Sequence, residues 1–173
     1  MDANISVATN KDIDKLILLI NSAYRGESAK KGWTHEANLI EGDSRIDKVS
    51  LETMMIDPNA TILKYEENEQ ISGCVYLEKK KSSLYLGLLS VSPDLQAKGI
   101  GKKLLKAAEE HALLTNCNKI EMTVISMRAK LIEWYERHGY HQTNQRQPFP
   151  EHEGFGVPVK PLEFVVMEKK PKP

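Results

Sequence analysis

Residues 96–101 read Gln96-Ala97-Lys98-Gly99-Ile100-Gly101, between an apolar run ending at Val91 and a stretch with helical periodicity. A strand that feeds a helix through such a run leaves free backbone N–H groups and the positive end of the helix dipole at the turn. Gly99 and Gly101 carry no Cβ, so a bulky anion can approach the main chain, and Lys98, Lys102 and Lys103 add full positive charges. The chemistry this offers is a diphosphate cradle. A Gly-x-Gly before a helix is also simply a tight turn. A dinucleotide fingerprint would need Gly-x-Gly-x-x-Gly after the first strand with an acid about 20 residues on, and a P-loop needs GxxxxGK[ST]; both are absent.

A second chemical group lies about 30 residues further on, in the run Leu131-Ile132-Glu133-Trp134-Tyr135-Glu136-Arg137-His138-Gly139-Tyr140. Tyr135 on this helix reads from its pattern as a core aromatic beside Trp134. His35, His111, His138, His141 and His152 show no ligand spacing, so no metal is expected. Cys74 and Cys117 stand 43 positions apart without a CxxC motif and read as reduced and buried.

The elements that must position these groups follow from periodicity. A strand at 5–8 precedes a helix at 12–24, with Ile13, Leu16, Ile17, Ile20 and Tyr24 at helical spacing. Residues 25–47 are polar and Gly-punctuated, with a short helix expected after Thr34 and another at 50–55, ended by Asp57-Pro58. Strands follow at 60–66, 71–78 and 84–91, then a helix at 99–116 with Ile100, Leu104, Ala108 and Ala112 on one stripe. A strand at 120–125, a helix at 128–138 capped by Gly139, and a strand at 140–143 come next. Residues 144–161 hold four of the eight prolines and read as a closing flap before a last strand at 162–167. Helices early, a strand meander, then alternating helix and strand predict an α/β fold with a mixed sheet and helices on its faces.

The 173 residues suit one domain, 1–173, and 40% hydrophobic with 28% charged residues excludes wholesale disorder. Bases and acids number 24 each, so general nucleic-acid binding through a basic surface is not expected. The balance is uneven: residues 1–72 carry 13 acids and 8 bases, residues 73–173 carry 16 bases and 11 acids. The longest aliphatic run, Leu16 to Ile20, is far short of a membrane span, and no basic segment with an apolar core opens the chain. Cytoplasmic residence without a membrane partner is the expectation.

Taken together, Gln-x-x-Gly-x-Gly after a strand and the Tyr135-Glu-x-x-Gly-Tyr140 run resemble the GNAT superfamily of acetyl-CoA-dependent N-acetyltransferases. The first resembles its pyrophosphate loop, the second its Tyr-Glu-x-x-Gly-Phe/Tyr signature. The segments Trp33-Thr34-His35-Glu36-Ala37 and Met122-Thr123-Val124-Ile125-Ser126 look like a bacterial-type subgroup of unassigned acceptor. The resemblance implies a mostly antiparallel sheet with one splayed parallel strand pair. It implies acetyl-CoA as cosubstrate and a small-molecule or peptide amine as acceptor. A homodimer is a habit of the family.

Carried over by position, Leu89, Ser90 and Val91 would pair with the pantetheine arm through their main chain. The diphosphate would meet Gln96, Ala97, Lys98, Gly99, Ile100, Gly101 and Lys102. Tyr135 would be the general acid for the departing thiolate, whose reference pKa resembles the ~8.5 of cysteine. Two positions depart from the family: Arg128 stands where many relatives have Asn, and Tyr85 where histone-acetylating members have a glutamate base. A base must then come from Glu36, Glu41, Tyr85 or Glu121, with Glu36 preferred because the early segment forms the acceptor wall in the family. Trp33, Arg45 and Phe149 are expected in the same cleft. The acids Glu36, Glu41 and Asp43 would suit a cationic amine. The competing reading is a non-catalytic acyl-CoA-binding or regulatory module on the same fold.

Overall fold

A computed structural model describes residues 2–25, 29–33, 35–42, 44–150 and 156–173. Its strands are β1 (Ile5–Val7), β2 (Ile40–Glu41), β3 (Ala60–Glu67), β4 (Gln70–Lys80), β5 (Ser83–Val91), β6 (Lys119–Ile125), β7 (His141–Pro148), β8 (Val157–Pro158) and β9 (Glu163–Lys169). The helices are α1 (Ile13–Tyr24), α2 (Lys48–Ile56), α3 (Ile100–Leu114) and α4 (Ala129–Arg137). Seven strands form one sheet in the order β1-β3-β4-β5-β6-β9-β7, and β2 pairs with β8. All neighbours are antiparallel except β5 and β6, which matches the expected mixed sheet.

Strand alternation sends alternate side chains to two cores. Val75 and Leu77 of β4, with Leu84 and Leu86 of β5, pack under α3 and α4 together with Leu104, Ala108 and Ile132. Cys74 and Tyr76 face the other way, onto Leu16, Ile20 and Leu51 of α1 and α2. The stripe read on α3 is buried as expected at Ile100, Leu104, Ala108 and Ala112. The sheet lies directly against this helix: a Cβ on Gly73 would come within 2.7 Å of Ile100 Cγ2. Gly139 follows α4 at φ +91°, and the Tyr140 amide bonds back to the Tyr135 carbonyl at 3.1 Å, closing the helix as its glycine predicted.

Three expectations change. Residues 144–148, read as the start of a loop, continue β7, and after an irregularity Arg146, Gln147 and Pro148 pair with Val165, Phe164 and Glu163 of β9. The strand expected at 140–143 thus runs on to Pro148; its extension is polar and almost wholly exposed, so it lacks an apolar alternation. The short helix expected directly after position 34 is not present among the described residues: 37–39 form a turn leading into β2, and Thr34 itself lies outside them. Of the flap, Val157–Pro158 forms β8 against Ile40–Glu41, while Gly154 and His152 lie outside the described residues.

Candidate active site

The site begins where β5 parts from β6. Their parallel pairing covers only Ser83–Tyr85 against Lys119–Glu121, and the remainder of β5 is registered with β4 alone. A bulge coincides with this opening. Tyr76 pairs with Gly87 and Cys74 with Ser90, so Leu88 and Leu89 together oppose Val75. Leu88 takes φ +50°, a left-handed value that a leucine adopts only at a cost. One inserted residue flips the alternation: Leu84 and Leu86 belong to the α3 and α4 core, Leu88 to the opposite core, and Leu89 and Val91 return to the first side. The bulge is held by side chains around it. Ser90 Oγ donates to the Leu88 carbonyl at 2.9 Å, and the Tyr24 hydroxyl donates to the Leu89 carbonyl at 2.6 Å.

Two cavities meet in this opening. One, of about 410 Å³, is lined by Leu89, Val91, Gln96, Ala97, Gly99, Ile100, Gly101 and Lys102 from the strand end and loop, and by Trp33 and Trp134. The other, of about 460 Å³, is walled by Glu36, Tyr85, Glu121 and the β6 residues Met122–Ile125, with Phe149 and Phe164. Four residues line both: Tyr24, Arg128, Leu131 and Tyr135. They form a waist between a chamber floored by a glycine-rich loop and a chamber walled by β6 and Phe149.

The loop suits a diphosphate. Ala97 and Gly99 both have positive φ, 67° and 83°, which turns successive amides toward one side. The first amide bonded back within α3 is that of Lys103, to the Gly99 carbonyl at 3.1 Å, so the preceding amides are available at the dipole's positive end. A Cβ on Gly101 would stand 3.2 Å from Trp134 Cη2, so the helix start and the indole already touch. Lys102 lines the chamber, whereas Lys103 lies 3.4 Å from Asp2 on another face. Gln96 ties the loop to its surroundings: its Oε1 accepts from the Trp33 amide at 2.9 Å and its Nε2 donates to the Val91 carbonyl at 3.2 Å.

Tyr135 is buried, with its ring edge-on to Trp134 and Tyr140 at centroid distances of 5.1 and 5.8 Å. Burial, reinforced by Tyr140, pushes its phenol well above the ordinary tyrosine value, so it is protonated at neutral pH. Burial likewise raises Tyr24, with Tyr135 and Glu36 contributing. Glu36 is buried and shared between two guanidinium groups, with Oε2 3.0 Å from Arg25 Nε and Oε1 3.7 Å from Arg128 Nη1.

Of the residues singled out from sequence, Leu89, Val91, Gln96, Ala97, Gly99, Ile100, Gly101, Lys102, Arg128 and Tyr135 line the loop-side chamber. Ser90 is buried behind them and Lys98 is exposed. Glu36, Tyr85, Glu121, Arg45 and Phe149 line the other chamber. Trp33, expected with them, instead lines the loop side, edge-on to Trp134 at 6.1 Å. Glu41 is exposed on β2 and lines neither, and Asp43 lies outside the described residues. Tyr24, Arg25, Leu131 and His138 were not anticipated at the site. Tyr24 ends an amphipathic helix, where a packing role accounts for its type, and only the fold shows its hydroxyl reaching β5. Among the described residues no group of three His, Cys, Asp or Glu could hold a metal ion, and no helix is long and apolar enough to cross a membrane.

Comparison with known proteins agrees with this fold. Residues 34–155 match the model of the acetyltransferase (GNAT) domain family. The fold is shared with a ribosomal-protein-alanine N-acetyltransferase from Brucella melitensis, at 19% identity over 96% of this chain and 98% of that one, with a TM-score of 0.71. A PaiA N-acetyltransferase from Thermoplasma acidophilum, solved with coenzyme A, aligns at 18% identity over 98% and 99% of the two chains, TM-score 0.70. YncA from Salmonella typhimurium, solved with acetyl-CoA and described as an acetyltransferase only provisionally, aligns at 18% identity over 100% and 96%, TM-score 0.70. At these identities the likeness is one of fold. No curated protein sequence matches the chain.

Proposed function

Because the chain belongs to the GNAT acetyltransferase family, we propose that it is an acetyl-CoA-dependent N-acetyltransferase acting on a primary amine by direct attack in a ternary complex. The observation that carries this reading is the waist: two chambers of similar size open on one buried tyrosine. A reaction between two bound substrates needs both held against a shared point, which converts a bimolecular step into an effectively unimolecular one.

Bound acetyl-CoA supplies an activated acetyl carbonyl and a thiolate leaving group. In the proposal the backbone of Gln96–Lys102 binds its diphosphate, and Leu89 and Val91 present their main chain to the pantetheine arm. An amide at Leu89 or Ser90 stabilises the developing oxyanion, a contribution of about 2.7–4 kcal/mol for a donor of this kind. The amine enters from the chamber of β6 and Phe149. Its nitrogen forms the new C–N bond as the C–S bond breaks, and Tyr135 gives its proton to the departing sulphur. The proton shed by the amine nitrogen passes through water in the acceptor chamber toward Tyr85 or Glu121 and on to solvent, and a proton from solvent restores the phenol. Cys74 takes no part: it is buried against α1, and burial pushes its thiol up to about 12.

Glu36 enters the proposal differently from a free base. Both of its oxygens face arginines, so its supported role is to position Arg128 at the waist, with water-mediated proton removal toward Tyr85 or Glu121. Tyr135→Phe tests the acid. Turnover, followed as coenzyme A release across an amine panel, is expected to fall about 10²-fold or more with acetyl-CoA affinity kept. Unchanged turnover would refute the assignment. Acetyl-CoA binding with no transfer to any amine would favour a non-catalytic module.

A further inference from the structure

Away from both chambers, one ammonium group joins three elements. Lys169 ends β9; its Nζ lies 2.8 Å from Glu109 Oε2 on α3 and donates to the His138 carbonyl, just past the end of α4, at 3.0 Å. The two charged side chains are only 18% and 17% exposed. The other carboxylate oxygen, Glu109 Oε1, accepts from the Lys172 amide at 2.7 Å. Gly139 makes room for the lysine: a Cβ there would stand 3.1 Å from Lys169 Cε. Tyr140 faces the same group, with its ring centroid 5.7 Å from Nζ. A pair this sheltered differs from the exposed pairs elsewhere on the chain, such as Lys48 with Asp14. Taking both charges out of water offsets much of their attraction, so stability alone is a weak account of it. What the pair supplies is geometry, because charge-assisted bonds hold their partners at short, defined distances.

Resting on the acetyltransferase reading, we propose that Lys169 and Glu109 are positioning residues that fix α4 on α3 and thereby aim Tyr135 at the thioester sulphur. α3 begins at the diphosphate loop and α4 carries the acid, so the reaction depends on how the two helices sit. At the loop end they already touch, through Gly101 and Trp134. Glu109 lies eight residues further along α3, about 12 Å, and supplies the second point of attachment. Two points set an orientation where one would leave a pivot. The link to the acid is short. The Tyr135 carbonyl accepts from the His138 and Tyr140 amides at 3.0 and 3.1 Å, and the Tyr135 ring meets that of Tyr140 edge-on at 5.8 Å. His138 and Tyr140 are the residues that Lys169 holds. A misplacement of about 1 Å caused far from the chemistry can cost about 10²-fold in rate. Neither Lys169 nor Glu109 lines a chamber, so they act through Tyr135 and not on a substrate.

The test follows coenzyme A release with ethanolamine, putrescine, glycinamide and a tripeptide with a free N-terminus, beside the Kd for acetyl-CoA and the Tm of each variant. Lys169→Met keeps the aliphatic stem and removes the ammonium. Its kcat is expected to fall about 10-fold with the Kd for acetyl-CoA kept within about twofold. Lys169→Arg, whose fork can reach both partners, should recover most of the loss. In a Tyr135→Phe background the same Lys169→Met should cost no more than about twofold, because residues that act as one unit are not additive. Glu109→Gln keeps an oxygen for Lys169 and carries the comparison where Lys169→Met does not fold; its kcat should fall about 3-fold. An unchanged kcat in a folded variant would overturn the inference and leave the acetyltransferase reading standing. So would a loss of equal size with and without the Tyr135 hydroxyl, or a loss confined to acetyl-CoA affinity. Full turnover of Tyr135→Phe would refute the acid, and no transfer by the unsubstituted protein to any of these amines would count against the acetyltransferase reading; either would overturn the inference as well.

Discussion

Tyr24→Phe removes one oxygen from the waist. Its hydroxyl donates to the Leu89 carbonyl at 2.6 Å, the contact that pins the β5 bulge from the side of α1. A typical hydrogen bond contributes about 0.5–1.5 kcal/mol net, and a carbonyl left dry costs about 1–3 kcal/mol. Leu89 is only half-buried, so water can reach part of its environment and the lower range applies, about 1–2 kcal/mol. For a chain of this size that is a fall in Tm of roughly 2–8 °C. The functional effect separates this role from packing. If Tyr24 orients the Leu89 peptide for the pantetheine arm, the Kd for acetyl-CoA should rise about 5–10-fold, since about 1.4 kcal/mol is tenfold. Calorimetric titration with acetyl-CoA reads it directly. Burial holds the phenol protonated well past its ordinary range, so the effect should be flat with pH across the neutral region. An unchanged Kd beside a lowered Tm would make Tyr24 a core residue only and remove it from the site.

Gly99→Ala meets no atom within 4 Å but forces a Cβ onto φ +83°. The cost is about 1–2 kcal/mol, seen as a lowered Tm with acetyl-CoA affinity reduced in parallel; an unaltered loop affinity would argue against a diphosphate seat there. Asp12 bears on acid stability. Its carboxyl is held below the usual range: burial pushes it up, but the Thr9 amide at 2.9 Å and Lys64 at 3.2 Å outweigh that. A depressed folded pKa stabilises above the unfolded value of ~3.9 and loses that contribution as pH falls through the folded one. Urea unfolding of Asp12→Asn should therefore show a deficit at neutral pH that closes in acid; a deficit independent of pH would refute the linkage. Cys74 and Cys117, both buried and free, should resist an aromatic disulfide reagent in the folded protein and react fully in denaturant. Rapid reaction of both in the native state would contradict their burial.

The parts of this site that were legible in the sequence are those made by local chemistry. Gly99 and Gly101 declare a backbone approach because no other residue leaves that space, and Gly139 declares a helix end because it accepts positive φ. The apolar stripe of α3 declares its buried face. The bulge is different in kind. Leu88 is a leucine in an alternating apolar strand, and nothing in its type announces φ +50°; the conformation goes with the register of β4 against β5, with Tyr24 from outside the strand and with Ser90 two residues further along it. Chamber charge was hidden for a similar reason. Counting acids in residues 1–72 suggests a site for cations, and of the acids counted there Glu36 lines the chamber while Glu41 does not. Arg128 comes from the other half of the chain, yet it lies 3.7 Å from Glu36. A net charge summed along a sequence is therefore weak guidance to a cavity built from both halves. The local field comes from the few groups that are desolvated there, where each interacts far more strongly than any exposed charge.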